Sequence, residues 1–357
     1  MRKHYIDNLR SLVILLLFPF HTSRMFTSGD PFYVEGIPNF FCQLFVNLTS
    51  IWFMNLLFVL AGISTALSLQ KRSIKQFTKD RVMKLLIPFI FGVLLTIPIQ
   101  TYYAERFHNG YQGGYFEQYR LFFTKATDLT GYRGGFTPAH LWFILFLFII
   151  SMLSLPVIIY IKKNGRKPYT KTPSVYRLIP LFILVMVFSV IRIGEAIGQY
   201  MTYFLIGYLV LSRDEILDEL KRKKYILTVL ALVISITATV LSYSVPFNGN
   251  DYALQSLFVS AIRHLASWTI ILALLGLAQE FMNFTNKWSN YMAKSSFPIY
   301  FVHQTVLIVI GFYVLTNVTN TVAVFLLIMI PGFIISILLC ELFRRIPITA
   351  FIFGMKK

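Results

Sequence analysis

Long apolar runs separated by short polar clusters organise this chain, and the runs have the length that lipid hydrocarbon demands. An α-helix rises 1.5 Å per residue, so about twenty apolar residues cross the bilayer core. Ten runs approach that length and predict helices over roughly 9–27, 40–69, 85–103, 139–161, 177–194, 199–211, 225–245, 254–279, 296–315 and 321–343. The sixth is short, and Gly198-Gln199 before it and Gly207 within it predict either a tight hairpin with the fifth or a partly re-entrant segment. The expected fold class is all-α, a polytopic membrane bundle of about ten transmembrane helices in one domain over 1–357. Neither a solenoid period nor a sequence match between the halves is visible.

Composition agrees with that pattern, since 56% of the 357 residues are hydrophobic and only 13% are charged. The net charge of +18 raises the question of nucleic acid. The basic residues instead sit in clusters between apolar runs, where cytoplasmic loops carry them, so they are topology signals and a nucleic-acid partner is rejected. Lys71, Arg72, Lys75, Lys79, Arg81 and Lys84 crowd the second loop, against Asp30 and Glu35 in the first. Even-numbered loops are therefore expected in the cytoplasm. Lys162, Lys163, Arg166, Lys167 and Lys171, then Lys221 to Lys224, then Lys287 and Lys294, then Arg344, Arg345, Lys356 and Lys357 repeat the pattern, placing both termini there too. Among odd loops only Ala104 to Pro138 is long; rich in Tyr, with Gly113-Gly114 and Gly134-Gly135, it is the expected extracytoplasmic cover over a site. Arg2 and Lys3 before Leu12–Phe20 resemble a signal peptide, but no small-residue cleavage site follows, and Pro19, His21 and Arg24 continue the segment as a first transmembrane helix. Cys42 and Cys340 are expected near opposite membrane faces, which argues against a disulfide.

Ionisable residues inside apolar helices are costly and usually face a protein interior or a water cavity. Arg10 and His21, eleven residues apart, share one helix face about 16 Å apart along the axis. Pro19 removes a backbone donor one turn back and can open the helix beside His21. A blander account also fits, with Arg10 a topology charge and His21 a satisfied polar residue. His303, and Arg263 with His264, reach similar depth in the ninth and eighth helices, which points to a polar centre at mid-membrane. His140 and Trp142 in His140-Leu141-Trp142-Phe143, and Arg192 with Glu195, are placed at the outer interface, where such residues are usually solvated or belong to the aromatic belt. Arg81 and Lys84 at the cytoplasmic mouth of the third helix are either topology charges or a site for a nucleotide phosphate. His4 and His108 read as exposed loop residues. No cluster has metal-ligand spacing, and neither a glycine-rich phosphate loop nor a Gly-x-Ser-x-Gly elbow occurs.

The opening Tyr5-Ile6-Asp7-Asn8-Leu9-Arg10-Ser11, with His21 after ten intervening residues, resembles the hallmark of acyltransferase family 3. Phe58-Val59-Leu60-Ala61-Gly62-Ile63-Ser64, the stretch from Arg81 to Pro88, His140-Leu141-Trp142-Phe143, and Ser296-Phe297-Pro298-Ile299-Tyr300-Phe301-Val302-His303 are similar to its other motifs. The resemblance covers nearly the whole chain and leans to the glucan-modifying branch that includes succinyl transfer. It departs at Lys84, where the family often has a second arginine, and the departure loses bidentate geometry. The resemblance implies a multi-pass enzyme of the bacterial cytoplasmic membrane, with acyl-CoA (acetyl-CoA or succinyl-CoA) as a donor substrate rather than a tightly bound cofactor. It also implies an extracytoplasmic glycan or lipid-linked sugar as acceptor. Arg10, His21 and His303 are then the expected catalytic residues. Arg81, Lys84, His140, Trp142, Arg192, Glu195 and Arg263 are expected to bind substrate, with Arg10, Arg81 and Lys84 toward the CoA phosphates and His21 near the thioester. His21 serves either as general base or as covalent acyl carrier. A transporter or flippase fits the same helices and polar mid-depth residues. A receptor or structural protein leaves the Arg10 to His21 spacing unexplained.

The charge census makes the orientation testable. Ser73→Cys and Lys167→Cys should be shielded from an impermeant thiol reagent applied to intact cells, and selective labelling of either from outside overturns the orientation.

Overall fold

The structure, a computed structural model, describes residues 3–29, 31–124, 126–127, 135–165, 174–244, 254–318 and 320–354. Arg2, Asp30, Gly134, Arg166, Lys167, Lys171, Lys356 and Lys357, singled out above, lie outside the described residues. The elements are helical. In chain order they are α1 (His4–Arg24), α2 (Phe40–Ser50), α3 (Phe53–Leu69), α4 (Ile74–Arg81), a π-helical turn Val82–Leu86, α5 (Ile87–Leu95), α6 (Ile97–His108) and α7 (Tyr115–Phe122). A 3₁₀ turn Ala139–Leu141 then leads into α8 (Trp142–Leu153) and α9 (Leu155–Asn164), and another, Val175–Arg177, precedes α10 (Leu181–Phe188). The rest are α11 (Ile197–Leu209), α12 (Asp214–Arg222), α13 (Lys224–Ser244), α14 (Leu254–Phe281), α15 (Lys287–Leu315), α16 (Thr321–Arg345) and α17 (Pro347–Ile352).

The chain is thus an all-α membrane bundle, but the expected ten spans are not all met. Among the described residues six helices are long and apolar enough to cross a membrane: Phe40–Leu69, Ile74–His108, Lys224–Ser244, Leu254–Phe281, Lys287–Leu315 and Thr321–Arg345. Ala139–Leu153 and Leu155–Asn164 add a seventh if the pair, bent by 45°, is one span. Pro156 accounts for that break, since it has no N–H to continue the ladder of α8. The remaining three expected spans fall short for local reasons. Asp7, Asn8, Arg10, His21 and Arg24 make α1 too polar, Val175–Phe188 is a short apolar helix, and α11 has only 13 residues.

The chain divides into two compact units. One gathers Met1–Arg10, Asn47–Thr78 and Ile149–Ser289, the other Ser11–Val46, Lys79–Phe148 and Asn290–Lys357. In the first, α3 packs on α11 and α13 on α14. Glycines make the α3–α11 approach possible: a Cβ on Gly62 would lie 2.1 Å from the Phe204 carbonyl oxygen, and one on Gly207 2.4 Å from that of Val59. Phe58 stacks on Tyr200 at 4.7 Å, and the fully buried Trp268 donates its indole N–H to the Leu178 carbonyl at 2.8 Å. In the second unit α5 meets the loop before α8 and also α17. There Gly92 leaves room for the Phe301 ring and the Leu141 side chain.

Overpacking a close helix contact costs about 1–3 kcal/mol, and one kcal/mol moves the melting point of a unit this size by about 2–4 °C. Gly62→Val should therefore melt about 2–12 °C below the parent in a detergent thermal-shift assay. Gly114→Ala, where no atom lies within 4 Å of the added methyl, should melt with the parent, and equal melting of both variants would sink the packing account.

Candidate active site

The second unit builds a buried imidazole cluster from three separate segments. The last half of α1 carries His21, and the helix continues through Pro19 without a break. The middle of α15 carries His303, on a stripe in which Ser296, Tyr300, His303 and Leu307 recur at the three- and four-residue steps of one helix face. All four are buried. His140 comes from the turn before α8. The ring centroids of His21 and His303 lie 5.1 Å apart, and those of His140 and His303 5.2 Å.

Backbone carbonyls fix which nitrogen of two rings carries the hydrogen. His303 Nδ1 is 2.6 Å from the Tyr300 carbonyl oxygen; a carbonyl only accepts, so Nδ1 donates and Nε2 of the neutral ring keeps its lone pair. That Nε2 is buried with no hydrogen-bond partner. His140 has the opposite tautomer: Nε2 donates to the Phe301 carbonyl at 3.2 Å, and Nδ1 accepts from the Gln100 amide at 3.4 Å. His21 Nδ1 is also buried without a partner, in a ring stacked on Phe32 at 6.1 Å. Phe32 is itself held in place. Its N–H donates to the Glu35 carboxylate at 2.8 Å, its carbonyl accepts from His108 Nε2 at 2.6 Å, and the Arg24 guanidinium lies 5.6 Å from its ring centre.

His140, placed at the outer interface as either a solvated or a substrate-binding residue, is only 6% exposed, which removes the solvated alternative. Its turn carries it inward: Ala139 adopts φ 48°, its N–H donates to Thr137 Oγ1 at 3.1 Å, and the Tyr300 hydroxyl donates to the His140 carbonyl. A non-glycine residue in that left-handed region is uncommon and costs about 1–3 kcal/mol, a strain that clusters at functional sites. His108 is exposed as expected, but it ends α6 rather than lying in a loop, and its Nε2 meets the Phe32 carbonyl.

The other expected site residues lie as follows. In the second unit Trp142 meets Phe146 edge-on at 5.4 Å, and Arg81 ends α4 where the π-helical turn holding Lys84 begins, with the Lys84 ammonium 3.6 Å from Asp80. In the first unit Arg10 donates to Ser64 Oγ at 2.7 Å and to Asp7 at 3.3 Å. Arg192 is exposed, Glu195 accepts from the Tyr200 hydroxyl at 3.4 Å, and Arg263 donates to Ser242 Oγ at 3.0 Å. His264, beside Arg263, bonds the Ser260 carbonyl at 2.8 Å and Gln199 at 3.3 Å. Among the described residues no group of three or more His, Cys, Asp or Glu is arranged to hold a metal ion.

Sequence reasoning missed three neutral residues. Gln100 donates to Thr305 Oγ1 at 2.7 Å as well as to His140, and its carbonyl accepts from Gln304 at 3.2 Å. All three are buried. The signal was available, since Gln100 and Gln304 interrupt apolar runs as the histidines do, but an amide carries no charge and so escapes a search for ionisable groups.

Residues 3–341 match the model of acyltransferase family 3, described as an acyltransferase domain. Curated relatives named glucans biosynthesis protein C, from Salmonella paratyphi B, Salmonella enteritidis and Salmonella agona, are each 24% identical to this chain over 382 aligned positions, covering 99% of this chain and 95% of the relative. No solved structure matches the chain.

Proposed function

Because this chain belongs to acyltransferase family 3 and is a multi-pass membrane acyltransferase, we propose that it moves an acetyl or succinyl group from cytoplasmic acyl-CoA to a hydroxyl of an extracytoplasmic envelope glycan. The observation that carries this reading is the His21–His303 pair, two imidazoles 5.1 Å apart, each with a buried nitrogen that has no protein partner. A nitrogen so placed is open to a ligand. In the proposed step an acceptor hydroxyl oxygen attacks the thioester carbonyl carbon, its proton passes to His303 Nε2, and the carbon–sulfur bond breaks. The proton then leaves with the thiolate as CoA thiol. The Tyr300 carbonyl keeps His303 in the tautomer a base requires, and it stabilises the imidazolium that forms. His21 completes the pair, against the reacting groups.

Arg81 and Lys84 are proposed to take the CoA phosphates. The π-helical turn supports this, because such turns re-aim side chains and are frequent at functional sites. In the first unit Asp7 and Ser64 orient the Arg10 guanidinium. A glucan as acceptor rests on the name of the relatives, which are glucans biosynthesis proteins. A bacterial cytoplasmic membrane is proposed on the source of the relatives, and cytoplasmic termini on the distribution of lysine and arginine.

General acid–base assistance is typically worth about a hundred- to ten-thousand-fold in rate. His303→Ala, purified and monodisperse, should lose at least about a hundredfold in acyl transfer; retention within about threefold of the parent removes His303 from the chemistry. Arg81→Ala should raise KM for acyl-CoA and spare kcat at saturating donor, because a phosphate contact remote from the reacting carbon binds ground and transition states alike. A lower kcat with KM unchanged would assign Arg81 another role.

A further inference from the structure

We infer that Gln304 is a specificity-determining residue, whose side-chain carbonyl accepts a hydrogen bond from a second hydroxyl of the acceptor molecule. Gln100 holds it in that orientation. The inference rests on the acyl-acceptor reading above and deepens it.

The direction of every hydrogen bond in this network follows from two backbone carbonyls. The Phe301 carbonyl takes the Nε2 hydrogen of His140, so His140 Nδ1 must accept, and the Gln100 amide must supply the donor. The Thr96 carbonyl takes the only hydrogen of the Thr305 hydroxyl, at 3.3 Å, so Thr305 Oγ1 must also accept from the same Gln100 amide. Two independent anchors thus turn the Gln100 carbonyl toward Gln304. Gln304 must answer with its amide, at 3.2 Å, since its carbonyl would otherwise face another carbonyl. What remains is Gln304 Oε1, an acceptor on a residue 2% exposed, without a partner. Its sequence neighbour, His303 Nε2, is likewise an acceptor without a partner.

Two buried acceptors on consecutive residues of one helix define what they lack. The complementary ligand brings two donors and no negative charge: a carboxylate or phosphate would set lone pairs against both. A sugar with neighbouring hydroxyls fits, one losing its proton to His303 as it is acylated and the other donating to Gln304 Oε1. Leaving a buried acceptor unmatched is what makes such sites reject an analogue that lacks the hydroxyl.

The test uses the intact protein in nanodiscs, with acetyl-CoA and succinyl-CoA as donors. The acceptors are methyl glucoside and its monodeoxy and deoxyfluoro analogues; fluorine replaces the hydroxyl without its donor hydrogen. At one ring position other than the acylated one, both analogues should lose about tenfold or more in kcat/KM with the unmodified protein. Gln304→Met should raise KM for methyl glucoside by about tenfold, leave KM for the acyl donor unchanged and erase that discrimination. Gln100→Met, which frees Gln304 to turn, should weaken the same discrimination and serves alone if the first variant does not fold. A deoxyfluoro analogue that works as well as the hydroxyl, or a folded variant of either residue that keeps full discrimination, overturns the role of Gln304 while the acyltransferase reading stands. Failure of the parent to acylate any glucoside, with either donor, overturns the glucan acceptor reading and this inference with it.

Discussion

Backbone carbonyls inside a membrane bundle cannot turn to water, so they dictate the hydrogens of whatever polar side chain reaches them. In this structure the carbonyls of Thr96, Tyr300 and Phe301 do that for a whole network. They set opposite tautomers in His303 and His140, orient Gln100, and through it orient Gln304. Because carbonyls are fixed by their helices, the network has one consistent set of donors. The state of the site, an imidazole nitrogen and an amide oxygen on consecutive residues left without partners, is a consequence of where three peptide bonds point.

The first unit shows the same residue types put to another use. Asn55 donates to the Ile51 carbonyl at 2.9 Å and accepts from Gln199 at 3.0 Å, Gln199 meets His264 at 3.3 Å, and Asn55 and Tyr203 share Ser267. None of these side chains holds a buried polar atom without a partner. Polar groups matched in this way hold helices in register, whereas those around His303 keep two acceptors in reserve. The presence of histidine and glutamine in an apolar helix therefore does not distinguish structure from chemistry.

Much of this was legible in the sequence. The apolar runs marked the helices, and the ionisable residues inside them marked His21 and His303, which the fold brings together from α1 and α15. The count of spans was only partly legible: the shortness of the sixth helix and Pro156 at the α8–α9 break both stand in the sequence, but the 45° bend does not. The burial of His140 was hidden in a different way. Its place next to Trp142 looks like an interfacial belt, and only the left-handed turn at Ala139 carries the ring inward. Gln100 and Gln304 stayed hidden because an amide's importance lies in the direction of its hydrogen bonds, and that direction comes from contacts distant in sequence.

These features share one energetic logic. A buried polar atom without a partner costs about 1–3 kcal/mol, and a non-glycine residue in the left-handed region costs a similar amount. His21, His303 and Gln304 each carry the first cost, and Ala139 carries the second. Free side chains would relax by rotating toward one another, and the structure blocks each rotation: the Tyr300 carbonyl holds His303, Phe32 stacks on His21, and the Gln100 amide is tied at both ends. Free energy held this way cannot dissipate by rotation within the cluster, and a ligand that supplied the missing partners would release it. On the proposed function, an acceptor that supplies them arrives already aligned with the His303 base, so the groups that weaken the fold are those that would favour a substrate with the right hydroxyls.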